Sequence, residues 1–361
     1  MMTSRTGLVT RAASAMAALV VVAFALLGGS AAQGPDWRTL PYFDYSRQLL
    51  SLATDGTWQS AQVVDAGVFN PTDGSGPGAR RRFIWAATCT EGEQFVSVSK
   101  TIMTPGAPIE GTVALYYGPG NQLYGDRPYK SAVLLVNSRE AARLGDIAAS
   151  PRTVAPMFRG LLPPAVLSAF QYGPNALTIR IEKTALKKGE PCNNPMSGRY
   201  ISVLADLELR FGSDLQVVPP TNPRTVKKNA ANKTMVPVEG TVRFVNGGPS
   251  ASLEGKVRLS VSGPGQGVVT WAFQASPPLA DCKLDGSVLE CPFKDFRAGG
   301  TASLVYRGGV RVNYGFLKNG AGEIDIDTEI NGIGPNPNPA NNHQRAVVIV
   351  CAEKATDPSC N

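Results

Sequence analysis

The sequence predicts an all-β protein built from two β-sandwich domains. Three observations carry this expectation. Helical periodicity is almost absent, and short alternating or β-branched runs recur instead, divided by Gly, Pro, Asn and Asp. A proline- and lysine-rich stretch near the middle reads as a boundary, which a chain of 361 residues needs because it is too long for one such module. Six cysteines follow a leader of export type, which suggests disulfides.

The leader comes first. Arg5 and Arg11 form a positive n-region, Ala12–Gly29 is an apolar h-region, and Ser30–Ala32 places small residues before Gln33, as a signal peptidase requires. Residues 1–32 are therefore expected to be a cleaved signal peptide, and no later segment is apolar enough to span a bilayer. Cleavage removes two arginines and no acids, so the formal charge falls from +7 to +5. That is too dilute for a nucleic-acid footprint, and the densest cluster, Arg80–Arg82, runs directly into the strand-like "FIW".

The strand-like runs then follow in order. They include "FVSVSKTI" (Phe95–Ile102), "TVALYY" (Thr112–Tyr117), "AVLLV" (Ala132–Val136), "ALTIRIE" (Ala176–Glu182) and "YISVLADLELRF" (Tyr200–Phe211). "KVRLSV" (Lys256–Val261) and "EIDIDTEI" (Glu323–Ile330) continue the series. Two stretches read as helices instead, "YFDYSRQLLSL" (Tyr42–Leu52) and "SREAARLGDIA" (Ser138–Ala148). "VVPPTNPRTVKKNAANKT" has no sustained apolar alternation and reads as an exposed linker. The expected organisation is a first domain at 33–216, a linker at 217–235, a second domain at 236–350 and a disulfide-closed tail at 351–361.

Spacing narrows the cysteine pairing. Cys282 and Cys291 lie nine apart, as do Cys351 and Cys360, which leaves Cys89 with Cys192. In "CKLDGSVLEC" a type II′ turn at Gly286-Ser287 sets Lys283 against Glu290, Leu284 against Leu289 and Cys282 against Cys291. The cysteines then fall in a non-hydrogen-bonded pair, where the Cα atoms come closer. The long loop should contribute about 4–5 kcal/mol and each short one roughly 2–3 kcal/mol, before strain.

Reactive groups are few. His343 is the sole histidine and sits in an asparagine-rich turn, and no GxSxG elbow, P-loop or HExxH pattern occurs. Nothing implies a catalytic residue, a metal or a cofactor, although a two-carboxylate glycosidase needs only an Asp/Glu pair at the right separation. Glu323, Asp325, Asp327 and Glu329 alternate with Ile324, Ile326, Thr328 and Ile330, which puts four carboxylates on one strand face. Acids on a straight strand diverge by about 7 Å per two residues, whereas calcium needs oxygens that converge. A solvated face with counter-charges on its neighbours, of the kind Lys256 and Arg258 offer, is the simpler reading. The loop "YYGPGNQLYGDRPYK" mixes aromatic faces with charged groups, and Tyr124, Asp126, Arg127 and Tyr129 are its candidate ligand-binding residues.

Two resemblances add to this. "NGGPSA" (Asn246–Ala251), the Cys282/Cys291 hairpin and "NPNPANN" (Asn336–Asn342) occur in that order in the second domain. It resembles domain of unknown function 11, a bacterial cell-surface repeat, which implies an immunoglobulin-like sandwich. Asn336 stands where that family often has Asp. The order of "TWQSAQVVDAG", "ARRRFIWA", "FVSVSKTIMTPGAP", "SAVLLVNSREA" and "NALTIRIEKTA" is similar to galactose-binding-like jelly rolls, which implies glycan binding by analogy. There Asn137-Ser138 replaces the group's usual Asn-Gly.

The expected protein is exported, non-catalytic and adhesive, scaffolding or ligand-binding, with a cell-surface or extracellular glycan or protein as partner and no nucleic acid. The competing expectations are a secreted carbohydrate-active hydrolase or its targeting fragment, and a purely structural surface subunit.

Overall fold

The computed structural model describes residues 35–54, 57–59, 61–64, 83–86, 95–118, 129–145, 157–183, 202–263 and 268–360. The signal-like leader, Arg80–Arg82, Cys89 and Cys192 lie outside them. The described chain is all-β, as the sequence predicts, and Arg38–Asn361 form one compact unit with two sandwich lobes. No helix among the described residues is long and apolar enough to cross a membrane.

The strands of the first lobe are β1 (Phe43–Asp44), β2 (Leu49–Ala53), β3 (Ala61–Val64), β4 (Phe83–Ala86), β5 (Phe95–Pro105) and β6 (Glu110–Gly118), then β7 (Tyr129–Val136), β8 (Arg139–Leu144), β9 (Met157–Leu161), β10 (Tyr172–Lys183) and β11 (Ser202–Arg210). In one sheet β11 is central, with β2 and β4 along one side and β6 then β9 along the other. The second sheet has the order β5-β10-β7-β8. The period of two is clean where both sheets turn inward: Leu50, Val113, Leu115, Leu207 and Leu209 from one, Ile102, Leu134, Leu177 and Ile179 from the other, are almost fully buried.

In both stretches read as helices the described residues form hairpin strands instead. In the first, β1 and β2 pair antiparallel, and in the second β8 pairs β7. Asn137 and Ser138 both take positive φ (46° and 68°), the signature of a type I′ turn, which reverses the chain between β7 and β8. Asn137 is tied down as well: its Nδ2 donates to Asn175 Oδ1 (2.7 Å) and to Ala169 O (2.9 Å). Local helix propensity in "REAARL" loses to this turn and to cross-strand pairing.

The second lobe contains β12 (Leu215–Val218), β13 (Arg224–Ala230), β14 (Met235–Asn246), β15 (Ser252–Ser262), β16 (Val268–Ala275), β17 (Lys283–Asp285), β18 (Val288–Phe296), β19 (Thr301–Arg311), β20 (Ala321–Gly332) and β21 (His343–Ala352). A four-stranded sheet (β12-β14-β19-β16) faces a six-stranded one (β13-β21-β20-β15-β18-β17). Phe244, Val257, Leu259, Phe293, Leu304, Ile324 and Val350 fill the space between them. The β17–β18 hairpin has the expected register, Lys283 with Glu290 and Leu284 with Leu289, and Gly286 takes φ +58°. Cys282–Cys291 and Cys351–Cys360 are bonded, and the second bridge ties the tail to a small cluster with Ala321 and Ile349.

The expected linker at 217–235 is not a linker. Val217 and Val218 belong to β12, which pairs with β14, Arg224–Ala230 form β13, which pairs parallel with β21, and Met235 opens β14. β13 exposes nearly every side chain, so it carries no apolar alternation to read, and its backbone partner lies more than a hundred residues away. The passage between lobes is the four residues Phe211–Asp214, with Ser213 buried.

That passage is clasped from several sides. Gln48, fully buried and at φ 47°, donates from Nε2 to Ile333 O (2.8 Å), and its Oε1 accepts from Leu253 N (3.4 Å). Ala251 N donates to Pro105 O (2.7 Å), Ala107 N to Pro249 O (3.1 Å) and Ser213 N to Pro335 O (3.1 Å). Tyr172 donates to Asp295 across the same junction, and Arg38 pairs with Glu254 at 2.6 Å. The turn "NGGPSA" therefore holds the second lobe against the first, through Pro249, Ser250 and Ala251 on Pro105 and Ala107. In "NPNPANN", Asn341 donates to Asp214 of the passage, while Asn336 donates to Leu215 O at the start of β12 and to Asn342 Oδ1.

Candidate functional site

Of the four residues singled out in the tyrosine-rich loop, Tyr124, Asp126 and Arg127 lie outside the described residues. Tyr129 opens β7, and its side chain also lies outside them. The strands this loop joins, β6 and β7, belong to different sheets of the first lobe. The described parts of those sheets each carry a hollow on the outer face.

The first hollow, about 290 Å³, runs over β7. Alternation sends Ala132, Leu134 and Val136 into the core and leaves Ser131, Val133 and Leu135 on the opposite face, where flanking side chains cover Ser131 and Val133 down to 6% exposure each. Register then fixes what surrounds them. Val133 lies between Arg143 of β8 and Arg180 of β10, Leu135 lies opposite Glu140, and Ser131 lies opposite Glu182. The result is an aliphatic floor with an acid and a base along each rim. Arg143 grips Glu140 with two bonds, Nε to Oε1 at 2.8 Å and Nη2 to Oε2 at 2.6 Å. Those bonds hold the Glu140 carboxyl below the usual range and raise the Arg143 guanidinium. Ser131 Oγ donates to Glu182 Oε2 at 3.2 Å, which orients the opposite rim. Chemically, this surface offers apolar contact from below and charged donors and acceptors from both sides.

The second hollow, about 300 Å³, lies over β11. Asp206 and Glu208 point outward while Leu207 and Leu209 are buried. The neighbours at the same level are small. Ser51 and Thr112 flank Glu208, and Ala53 and Ala114 flank Asp206, with Arg159 beyond Ala114. The hollow exists because side chains that would fill it are absent from β2 and β6. Strand geometry places the two carboxylates about 7 Å apart, within the range a glycosidase pair uses. Such a pair flanks the scissile bond, whereas these two rise from one strand toward the same side.

The acidic strand behaves as a solvated sheet face. Inward, Ile324, Ile326, Thr328 and Ile330 are buried; outward, β21 supplies partners. Arg345 Nε donates to Asp325 Oδ1 at 2.8 Å, and His343 Nε2 lies 3.3 Å from Asp327 Oδ1. Arg258 does stand opposite Glu329, but the ion pairs of Lys256 and Arg258 go to Glu290 of β18 at 3.1 and 4.0 Å. Among the described residues no group of three or more His, Cys, Asp or Glu is placed to hold a metal ion.

Sequence reasoning did not single out Glu140, Arg143, Arg180 and Glu182, nor Asp206 and Glu208. The alternation in "TIRIE" and "ADLELR" was the available signal, but which strands lie beside them is not local information.

No family model matches this sequence, and no curated protein matches it significantly. Solved structures with some likeness include a beta-glucuronidase from Bacteroides uniformis (10% identity, TM-score 0.17, 72% of this chain and 26% of that one). Others are a GH2 beta-galacturonidase from Eisenbergiella tayi (9%, 0.21, 84% and 43%) and a beta-D-mannosidase from Dictyoglomus thermophilum (8%, 0.21, 82% and 36%). The chain spans less than half the length of each of these, and at such TM-scores the likeness bears on neither mechanism nor ligand.

Proposed function

We propose that this chain is an exported, non-catalytic binding protein of the cell surface or extracellular space, and that it holds a glycan or similar hydroxyl-rich ligand in the hollow over β7. The observation that carries the proposal is the Val133–Leu135 floor framed by Glu140–Arg143 and Arg180–Glu182. A sugar ring has a CH-bearing face and a rim of hydroxyls that both donate and accept. An aliphatic floor with an acid and a base on each side matches both features. The clasped junction supports the same reading, because it would let the second lobe act as a fixed spacer or second contact.

Export belongs to the proposal with residues 1–32 as its cleaved leader, and two disulfides suit an oxidising compartment. The kinship of the second lobe with domain of unknown function 11 belongs to it too. The exported protein, screened on a glycan array, should bind one sugar class, and Arg180→Ala and Arg143→Ala should each abolish the signal while leaving the fold intact by circular dichroism. Binding that survives both substitutions sinks the proposal.

The second reading is a carbohydrate-active hydrolase, favoured by the spacing of Asp206 and Glu208. Release of reducing sugar from the bound glycan, lost in Asp206→Asn and Glu208→Gln, would establish it in place of the binding role.

A further inference from the structure

The second lobe contains a cleft of about 130 Å³ between its sheets. It is walled by the turn after β12 and reaches the core residues Ile326, Val348 and Tyr306. Protein interiors are close-packed, so an opening of this size calls for a cause in the sequence. Three of the strands that line it, β14, β20 and β21, place a small or polar residue there. The inward positions of β14 are Val236, Val238, Gly240, Val242 and Phe244, and the one glycine among them faces the cleft. A Cβ at Gly240 would meet the hydroxyl of Tyr306, its cross-strand partner, at 2.6 Å. On β20 the inward set is three isoleucines and Thr328, and Thr328 lies on the cleft wall with 3% exposure. On β21 the residue opposite Thr328 is Gln344, followed inward by the small Ala346. Gly240 thus makes room for the Tyr306 ring and brings its hydroxyl to the cleft. The cleft wall therefore carries two buried hydroxyls, of Tyr306 and Thr328, and the Gln344 amide among aliphatic side chains.

We infer that this cleft is a binding site for a small neutral molecule with an apolar ring or short chain and one hydroxyl, of the phenol or short alcohol class. The volume is close to that of a cavity that accepts benzene. The aliphatic walls take the carbon skeleton, and Thr328, Gln344 and the Tyr306 hydroxyl supply the polar side of the site. The inference concerns the second lobe and stands apart from the hollow over β7.

The test uses the exported protein and 4-fluorophenol, followed by fluorine NMR, with unlabelled phenol as competitor. Thr328→Val keeps the shape and removes the hydroxyl, and Ala346→Leu fills the space. Saturable, phenol-competed binding that weakens at least tenfold in Thr328→Val and is abolished in Ala346→Leu is the expected result. Should Ala346→Leu fail to fold, Thr328→Val alone decides. Absence of saturation in the wild type, or an affinity unchanged by Thr328→Val, overturns the inference.

Discussion

Replacing Gln48 with alanine should loosen the clasp between the lobes more than any exposed substitution. Its side chain is fully buried and satisfies two backbone groups of the second lobe, Ile333 C=O at 2.8 Å and Leu253 N–H at 3.4 Å. Alanine strips both partners at once, and each buried group left unsatisfied costs about 1–3 kcal/mol. Leu253 N is the weaker contact at its longer distance, so the expected sum is about 2–4 kcal/mol. A control follows from the backbone. Gln48 sits at φ 47°, a left-handed conformation that costs an alanine roughly 1–2 kcal/mol and a glycine almost nothing. Gln48→Gly should therefore destabilise less than Gln48→Ala, although it removes the same contacts. Urea unfolding of both variants, with free energies taken at a shared m-value, reads the difference. A loss below about 0.5 kcal/mol in Gln48→Ala, or equal losses in the two variants, would refute the reasoning about this junction.

Other consequences are open to measurement. Burial first, and then the hydrogen bond to Asp295, raise the pKa of Tyr172 to about 12. The raised value means that its contribution to stability is complete below the unfolded pKa of about 10 and is lost as pH climbs through about 12. The wild type should thus lose stability across that window relative to Tyr172→Phe, as measured by denaturation at stepped pH; parallel curves would contradict it. Asn246, fully buried, donates to Ser250 O (2.9 Å) and Phe296 O (2.7 Å) and accepts from Gly248 N (3.1 Å), so Asn246→Ala should cost about 2–4 kcal/mol in chemical denaturation. Substituting both Cys282 and Cys291 with alanine should cost about 2–3 kcal/mol, since the loop they close is short, and non-reducing peptide mapping of the native protein should recover them linked.

What the sequence revealed follows the range of the interactions. The hairpin from Cys282 to Cys291 was legible because its turn, its register and its disulfide all lie within ten residues. The acidic strand was legible for a similar reason, since alternation alone separates Asp325 and Asp327 from Ile324 and Ile326. Its main counter-charge, Arg345, was not foreseen, because pairing with β21 depends on the turn between them. β13 reads as part of a linker because an edge strand exposed on both faces shows no alternation, and its parallel partner is remote. The hollow over β7 was hidden for a third reason. It needs β8 and β10 on either side of β7, and β10 arrives about forty residues later in the chain. The asparagines of "NPNPANN" read as turn chemistry, and Asn338 N–H does bond to Asn336 Oδ1; that they also reach Asp214 in the passage and Leu215 at the start of β12 requires the fold.

The central claim is that the outer face of β7, β8 and β10 takes the ligand. Hydrogen exchange of the protein, with and without the glycan retained on the array, tests it most directly. The account expects slowed exchange in residues 131–136, 139–144 and 178–182, with the second lobe unchanged. Protection centred on Ser51, Thr112 and Asp206, or confined to the second lobe, would contradict it.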